Sequence, residues 1–306
     1  MSGPLASRFH PAHALAAEPR LAHPVFRGVR LAADDASAGL CLSAAAGWNQ
    51  TEADWRLLLL RGEGFGFADA GGALAASAVV MPYGGRLAWI GMVLVAATAR
   101  RQGLATLLVR HALERCRAMG AAPLLDATPA GRAVYLSLGF ADLHGVKRWC
   151  RRDEAAAPGA RGRPPSAIRP LRTDACAAWD APHFGANRGF LLKALADARP
   201  DLALQLEGAH GGLRGYCLGR PGLAATQIGP VVAETGQDAV ALVDAALAGI
   251  SGPALADIPE GNGTMESALA ARGFRAERSF TRMACGPGAL PGRPSSIHAI
   301  TGPEFG

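Results

Sequence analysis

The sequence predicts an α/β chain built from two copies of one repeat. Strand-like and helix-like segments alternate between residues 25 and 152, and the same order returns after residue 166. The two halves share an ending, LSLGF at 136–140 and LAARGF at 269–274. Between them, Arg152 to Pro165 shifts to Pro, Gly, Ala and charge, the composition of a linker. A length of 306 residues suits two domains, and a half-hydrophobic composition supports sizeable cores.

The elements follow in order. Residues 1–24 read as a flexible arm. Val25–Leu31 reads as a strand, and Asp34–Ala46 and Thr51–Leu60 as helices joined by GWNQ, with Thr51 as N-cap. Gly64–Asp69 and Ala73–Met81 are strands around the turn AGG. Leu87–Val95 is continuously apolar, as a central strand is, and Gly91 inside it marks a bulge or splay. Leu104–Met119 carries an apolar helical face, and Pro123–Ala127 is a buried strand. Ala130–Leu138 is a helix ended by Gly139, and Asp142–Arg152 is the closing strand.

In the second half, Ala167–Leu171 is a strand and Asp174–Ala198 helical. Leu202–Glu207, Gly215–Gly219 and Ala224–Ala233 are strands, followed by helix Asp238–Ala248 and strand Pro253–Ile258. Helix Thr264–Arg272 and strand Arg275–Met283 complete the repeat. Residues 287–306 read as a Gly/Pro-rich tail. The expected domains are therefore 25–152 and 166–286, joined by the linker 153–165.

Composition narrows the function. The net charge is +6, but its excess is local, at Arg100–Arg101, Lys147–Arg152, Arg161 and Arg163, and no polybasic stripe suggests nucleic acid. The six cysteines form neither CxxC nor a Cys/His cluster, so no metal is expected, and Cys116 and Cys217 read as buried thiols of a reducing compartment. Residues 1–23 lack the apolar stretch of a secretory signal, and no apolar run reaches a membrane span. The expectation is a soluble cytoplasmic protein without a membrane partner.

The chemistry concentrates in ARRQGLATLL, residues 99–108. An apolar strand ends, a basic turn follows, and a helix begins at a glycine. The first amides of a helix lack intrahelical partners, and the helix dipole adds positive potential there. Glycine admits a bulky anion, and arginines add fork-shaped hydrogen bonds to phosphate. This makes a pyrophosphate cradle, but neither a Walker A loop nor a G-x-G-x-x-G fingerprint.

Arg100-x-x-Gly103-x-Ala105 resembles the acyl-CoA pyrophosphate motif of the GNAT-type N-acetyltransferases. AVYLSLGF at 133–140 resembles that family's Y-x-x-x-G-F signature. GWNQTEADW, LDATPAGRAVYLSLGF and the closing AITGPEFG resemble a tandem subgroup with a second acetyltransferase-like domain. The resemblance implies two domains, each a mixed, mostly antiparallel sheet flanked by helices.

It further implies acetyl-CoA as co-substrate and a primary amine as acceptor, with direct attack in a ternary complex. Val93, Leu94 and Val95 would contact the pantetheine arm, with the Val93 amide on the thioester carbonyl. Arg100, Arg101, Gln102, Gly103, Leu104 and Ala105 would hold the pyrophosphate. Tyr135 would be the general acid. Thr128 stands where many members carry an asparagine that touches the cofactor arm.

The base is missing. Relatives place a glutamate on the central strand where this chain has Trp89, and no acidic residue lies between Asp69 and Glu114. Glu52, Asp54, His144, His183, Glu207 and a water chain stay open as alternatives. Trp48, Asn49, Gln50 and Trp89 are expected at the acceptor site. The second half has neither key feature: the turn after Ile228 has Glu234 and Asp238 in place of arginines, and Leu269 stands where Tyr135 stood. It reads as a non-catalytic copy lending His183, Phe184 and Arg188 to the acceptor cavity. The competing reading is an acyl-CoA sensor or scaffold without turnover. The acceptor's identity and the oligomeric state stay open, since a tandem repeat supplies internally what single-domain relatives gain by dimerising.

Overall fold

The computed structural model describes residues 15–152, 167–286 and 292–306. The linker 153–165, the first part of the arm and the start of the tail lie outside the described residues. The chain forms two compact units, Met1–Leu124 with Ala133–Phe140, and Leu125–Arg132 with Ala141–Gly306.

The first unit's strands are β1 (Ala16–Ala17), β2 (Arg27–Leu31), β3 (Glu63–Ala68), β4 (Leu74–Tyr83), β5 (Leu87–Val95) and the first three residues of β6 (Ala122–Ala127), adjacent in that order. Each pair from β1 to β5 is antiparallel, and β5 and β6 are parallel. Every residue of β4 except Pro82 is buried, so both faces of the sheet are covered there. Helices α1 (Ala36–Ala45) and α2 (Glu52–Arg61) pack on each other and on β4. Helix α3 (Leu104–Ala118) packs on β4 and β5 through Leu104, Leu108, Ala112 and Cys116, the apolar face that the sequence predicted.

Residues 15–24 correct the expectation of a flexible arm. Ala16 and Ala17 pair with Arg30 and Val29, and Leu15 and Leu21 are buried. Gly28 is required by contact, because a side chain there would strike the Leu21 carbonyl.

Helix α4 (Pro129–Ser137) ends at Gly139 in the left-handed region, φ 88°, and Phe140 is buried beyond it. The second unit repeats this ending with α8 (Gly263–Ala271), Gly273 at φ 82° and buried Phe274.

The strand expected to close the first half, β7 (Phe140–Arg151), belongs from residue 141 onward to the second unit. There the order runs β13 (Arg275–Cys285), β7, β12 (Ala254–Pro259), β11 (Thr226–Ala233), β10 (Leu213–Arg220), β9 (Leu204–Glu207), β8 (Ile168–Pro170). Two buried ion pairs hold its centre. Arg148 of β7 bonds both oxygens of Asp257 on β12 at 2.8 and 2.7 Å. Arg282 of β13 bonds both oxygens of Asp126 at 2.9 and 2.8 Å. Each joins residues more than a hundred positions apart, which no local pattern reports.

Helix α7 (Gly236–Ala248) covers β9 to β11 and meets α8. The helical text at 174–198 is two helices, α5 (Thr173–Phe184) and α6 (Gly189–Ala198), because Gly185 at φ 97° ends the first. The expected tail is also structured from residue 292. Ile297–Ala299 form β14, antiparallel to β11, and Thr301, Glu304 and Phe305 are buried.

Candidate active site

Strand β5 departs from regular pairing at its middle. Val79 faces Gly91 and Ser77 faces Leu94, so Met92 and Val93 together oppose the single residue Ala78. This is the bulge that Gly91 signalled, although Met92 rather than the glycine takes the left-handed conformation, φ 53°. Such a backbone costs about 1–3 kcal/mol and persists where its surroundings fix it. Buried Ser77 supplies the fixing, since its hydroxyl donates to the Met92 carbonyl at 2.8 Å. The sequence reading missed Ser77, because its role exists only once β4 lies beside β5.

The bulge coincides with a split. β5 pairs with β6 from Leu87–Ala122 to Trp89–Leu124 and no further. The last pair with β6 is therefore at Trp89, and Met92 and Val93 fall outside the regular register with β4. Val93 and Val95 are half-buried, Leu94 is buried, and the strand points directly into the basic turn.

That turn is exposed from Arg100 to Gly103. Arg101 and Gly103 both lie in the left-handed region, at φ 61° and 79°. Alternating backbone of this kind turns successive amides toward one concave surface. Gly103 begins α3 with no side-chain cap, so the amides of Leu104, Ala105 and Thr106 keep the unpaired donors of a helix start. Among the described residues Arg100 makes a single contact, 3.4 Å from Nε to the Val95 carbonyl. His23 steadies the turn from below. Its Nδ1 accepts from the amides of Val25 and Phe26, so Nε2 carries the proton and donates to the Gln102 carbonyl at 3.2 Å. His23 fell within the expected arm and gave no signal in sequence.

Tyr135 lies in the same compact unit as β5 and the turn. It is 8% exposed and packs edge-on against Phe140, with ring centroids 5.9 Å apart. Burial pushes its hydroxyl up to about 12, so it is protonated at neutral pH. Thr128, in the other unit, accepts the Gly131 amide at 3.2 Å and caps α4.

Several expected residues have other partners. Trp89 is 1% exposed in the middle of the sheet, between Met81 and Leu124, which corrects its expected acceptor role. Asn49 and Gln50 are buried in the loop before α2 and Trp48 is half-buried. Asp54 accepts the Thr51 amide and hydroxyl at 2.7 and 2.9 Å in a capping box, and Glu52 faces Arg56. Glu207 accepts from Gln205. None of these three carboxylates is arranged as a base.

Arg188 and His183 are also corrected. The Arg188 guanidinium, 1% exposed, bonds both Asp180 oxygens at 2.9 and 3.0 Å and reaches Tyr216, Thr301 and Gly306. It stacks on Phe184 at 3.9 Å. A guanidinium so committed is structural. His183 stacks on Trp179 and donates from Nδ1 to Ser296, whose own proton goes to the Arg293 carbonyl. His144 donates from Nδ1 to the Gly145 carbonyl. It lines a cleft of about 360 Å³ with Glu260, Asn262, Arg282 and His298, all of the second unit.

Burial holds His111, His183 and His298 below the ordinary imidazole value. Their neutral forms stabilise the fold above the unfolded-state value of about 6.5, and that stability is lost as pH falls through the folded value. The thermal midpoint is therefore expected to drop between about pH 7.5 and about pH 5. Calorimetric scans check this, and a midpoint that stays level across the range refutes it.

Among the described residues no helix is long and apolar enough to cross a membrane, and no group of three His, Cys, Asp or Glu side chains could hold a metal ion.

Both halves of the chain resemble known proteins. Residues 40–140 match the acetyltransferase (GNAT) family, and residues 176–299 match an acetyltransferase (GNAT) domain. The chain is 26% identical over 247 residues to the uncharacterized N-acetyltransferase YitH of Bacillus subtilis (strain 168), covering 80% of this chain and 86% of that one. A solved structure from Pyrococcus horikoshii superimposes with a TM-score of 0.78 at 18% identity, covering 97% of this chain and all of the other. A tandem GNAT protein from the clavulanic acid biosynthesis pathway superimposes at 0.61 and 17% identity, over 86% of this chain and all of that one. The chain belongs to the GNAT acetyltransferases, carries two such domains in tandem, and is an acyltransferase.

Proposed function

We propose that the first repeat, residues 25–152, moves an acetyl group from acetyl-CoA to a primary amine by direct attack, and that the second repeat, 166–286, does not catalyse. The observation that carries this reading is the bulged, split β5 running straight into an exposed basic turn at an uncapped helix start.

Acetyl-CoA supplies an activated thioester carbonyl. The amides of Gln102 to Ala105 and the guanidinium groups of Arg100 and Arg101 hold the pyrophosphate. The peptide groups of Val93 to Val95, beyond the last pairing of β5 with β6, orient the pantetheine arm, and the Val93 amide stabilises negative charge building on the carbonyl oxygen. Tyr135 donates its proton to the departing thiolate as the carbon–sulfur bond breaks and the carbon–nitrogen bond forms. The amine's proton leaves through a water chain, and Trp48, Asn49 and Gln50 contribute to acceptor binding. Leu269, fully buried in the second unit's apolar core where Tyr135 stands in the first, supports the inactivity of the second repeat.

A thiolate is a good leaving group, so the acid contributes at the low end of general catalysis. Tyr135→Phe is expected to lower kcat by about 10–100-fold with little change in KM for acetyl-CoA. Its hydroxyl makes no hydrogen bond to a described residue, so stability is expected to hold. Because the protonated form acts, no descending limb in rate is expected below about pH 10. An unchanged kcat overturns the role.

Calorimetric titration of acetyl-CoA, followed by CoA release on a panel of amines, tests the whole reading. Saturable binding with one site and amine-dependent release support it, and a folded protein that binds nothing overturns it. The rival, binding without turnover, is favoured by buried Trp89 at the usual base position, and binding without release across the panel would establish it.

A further inference from the structure

The second unit contains the same split as the first. β10 and β11 are antiparallel, and β11 and β12 are parallel from Thr226–Ala254 to Ile228–Ala256 and no further. The separation begins at Ile228-Gly229, where the first unit's begins at Ile90-Gly91. In the first unit no described strand but β4 pairs with β5 beyond Trp89. In the second, the chain itself does. β14 pairs with β11, Val231 facing Ala299 and Val232 facing Ile297. On the other wall, the Ile300 amide donates to the Asp257 carbonyl of β12 at 2.9 Å. Gln227 bridges Asp257 and the Thr301 carbonyl, at 2.9 and 3.1 Å. Ala299, Ile300 and Thr301 are essentially fully buried. A side chain at Gly229 would strike the Ile300 carbonyl, so the glycine fits the inserted segment.

His298 completes the insertion. Its Nε2 donates to the Ala233 carbonyl at 3.3 Å, so its Nδ1 accepts from the Asn262 side chain at 3.0 Å. Asn262 precedes Gly273 by the same distance as Thr128 precedes Gly139, and it caps α8 as Thr128 caps α4. The helix start beyond the split is also closed. Thr235 caps α7 by accepting the Asp238 amide, and Arg214 is paired with Glu234 and Asp238. Where the first unit presents an uncapped helix start and exposed cations, the second presents a cap and carboxylates.

We propose that the second split is a strand-binding slot whose permanent occupant is residues 297–301 of this chain. The inserted backbone supplies the hydrogen bonds that a pantetheine arm would make, so the chain binds one acyl-CoA and the second unit is locked by its own segment. The inference rests on the assignment of the first split as the cofactor slot.

Hydrogen–deuterium exchange on the full chain, with and without saturating acetyl-CoA, tests it. Amides of 297–301 are expected to exchange as slowly as those of β11 and to be unchanged by acetyl-CoA, while 93–105 gain protection. Fast exchange at 297–301 in the free protein overturns the proposal. So does loss of protection there on adding acetyl-CoA, with two bound molecules by native mass spectrometry. Ile300→Pro removes the bond to Asp257 and is expected to speed exchange at 297–301 by about tenfold or more, while acetyl-CoA stoichiometry stays at one. If it leaves exchange at 297–301 unchanged, the proposal also falls. Absence of protection at 93–105 overturns the first-unit assignment instead, and the two failures are separately visible.

Discussion

Reversing both charges of the turn, Arg100→Glu with Arg101→Glu, is expected to weaken acetyl-CoA binding by about 10²–10⁴-fold. Each guanidinium is assigned one charge-assisted hydrogen bond to phosphate, worth about 1.5–3 kcal/mol, and two such losses convert to that range at about 1.4 kcal/mol per decade. The carboxylates add repulsion. Stability is expected to stay level, because both side chains are exposed and, among the described residues, Arg100 makes a single 3.4 Å contact to the Val95 carbonyl. Calorimetry gives the affinity and a thermal scan the stability. The wild type should lose affinity more steeply with salt than the variant. A variant that binds acetyl-CoA as tightly as the wild type sinks the assignment of ARRQGLATLL.

The largest stability loss is expected at Asp180. Asp180→Asn removes the carboxylate that bonds the buried Arg188 cation beside Phe184, Tyr216 and Thr301. Breaking a buried pair from one side costs about 3–5 kcal/mol, whereas replacing both members by apolar residues often costs little. The Tyr216 hydroxyl, which donates to Asp180 at 2.6 Å, loses a charged acceptor as well. Chemical denaturation should show the loss in the second unit, and the double variant Asp180→Leu with Arg188→Met should lose less than the single one. A single variant within about 1 kcal/mol of wild type refutes the structural role given to Arg188.

These two sites differ in how they read. The turn at Arg100 was legible because its features are consecutive: strand, cations, glycine, helix. Helix and strand positions were legible for the same reason, and β5 spans Leu87–Val95 as its apolar run predicts. Thr51 caps α2 as its residue type predicts. By contrast, HFGANR gave Arg188 the look of a loop residue facing substrate. Only the fold brings Asp180, Tyr216 and Thr301 around it.

By itself the sequence determined the two-repeat α/β plan, the strand, basic turn, glycine and helix at 99–108, the tyrosine before Gly139, and the absence of both features from the second half. Periodicity, caps and turn glycines act within a few residues, so a single chain segment expresses them. Tertiary structure alone decided which strands adjoin and what lies buried. It placed β7 between β13 and β12, folded residues 15–24 onto β2, sealed Trp89 in the sheet, and set 297–301 between β11 and β12. Those outcomes depend on which distant surfaces meet and on how buried charges find partners. Neither property is written in any one stretch of the chain.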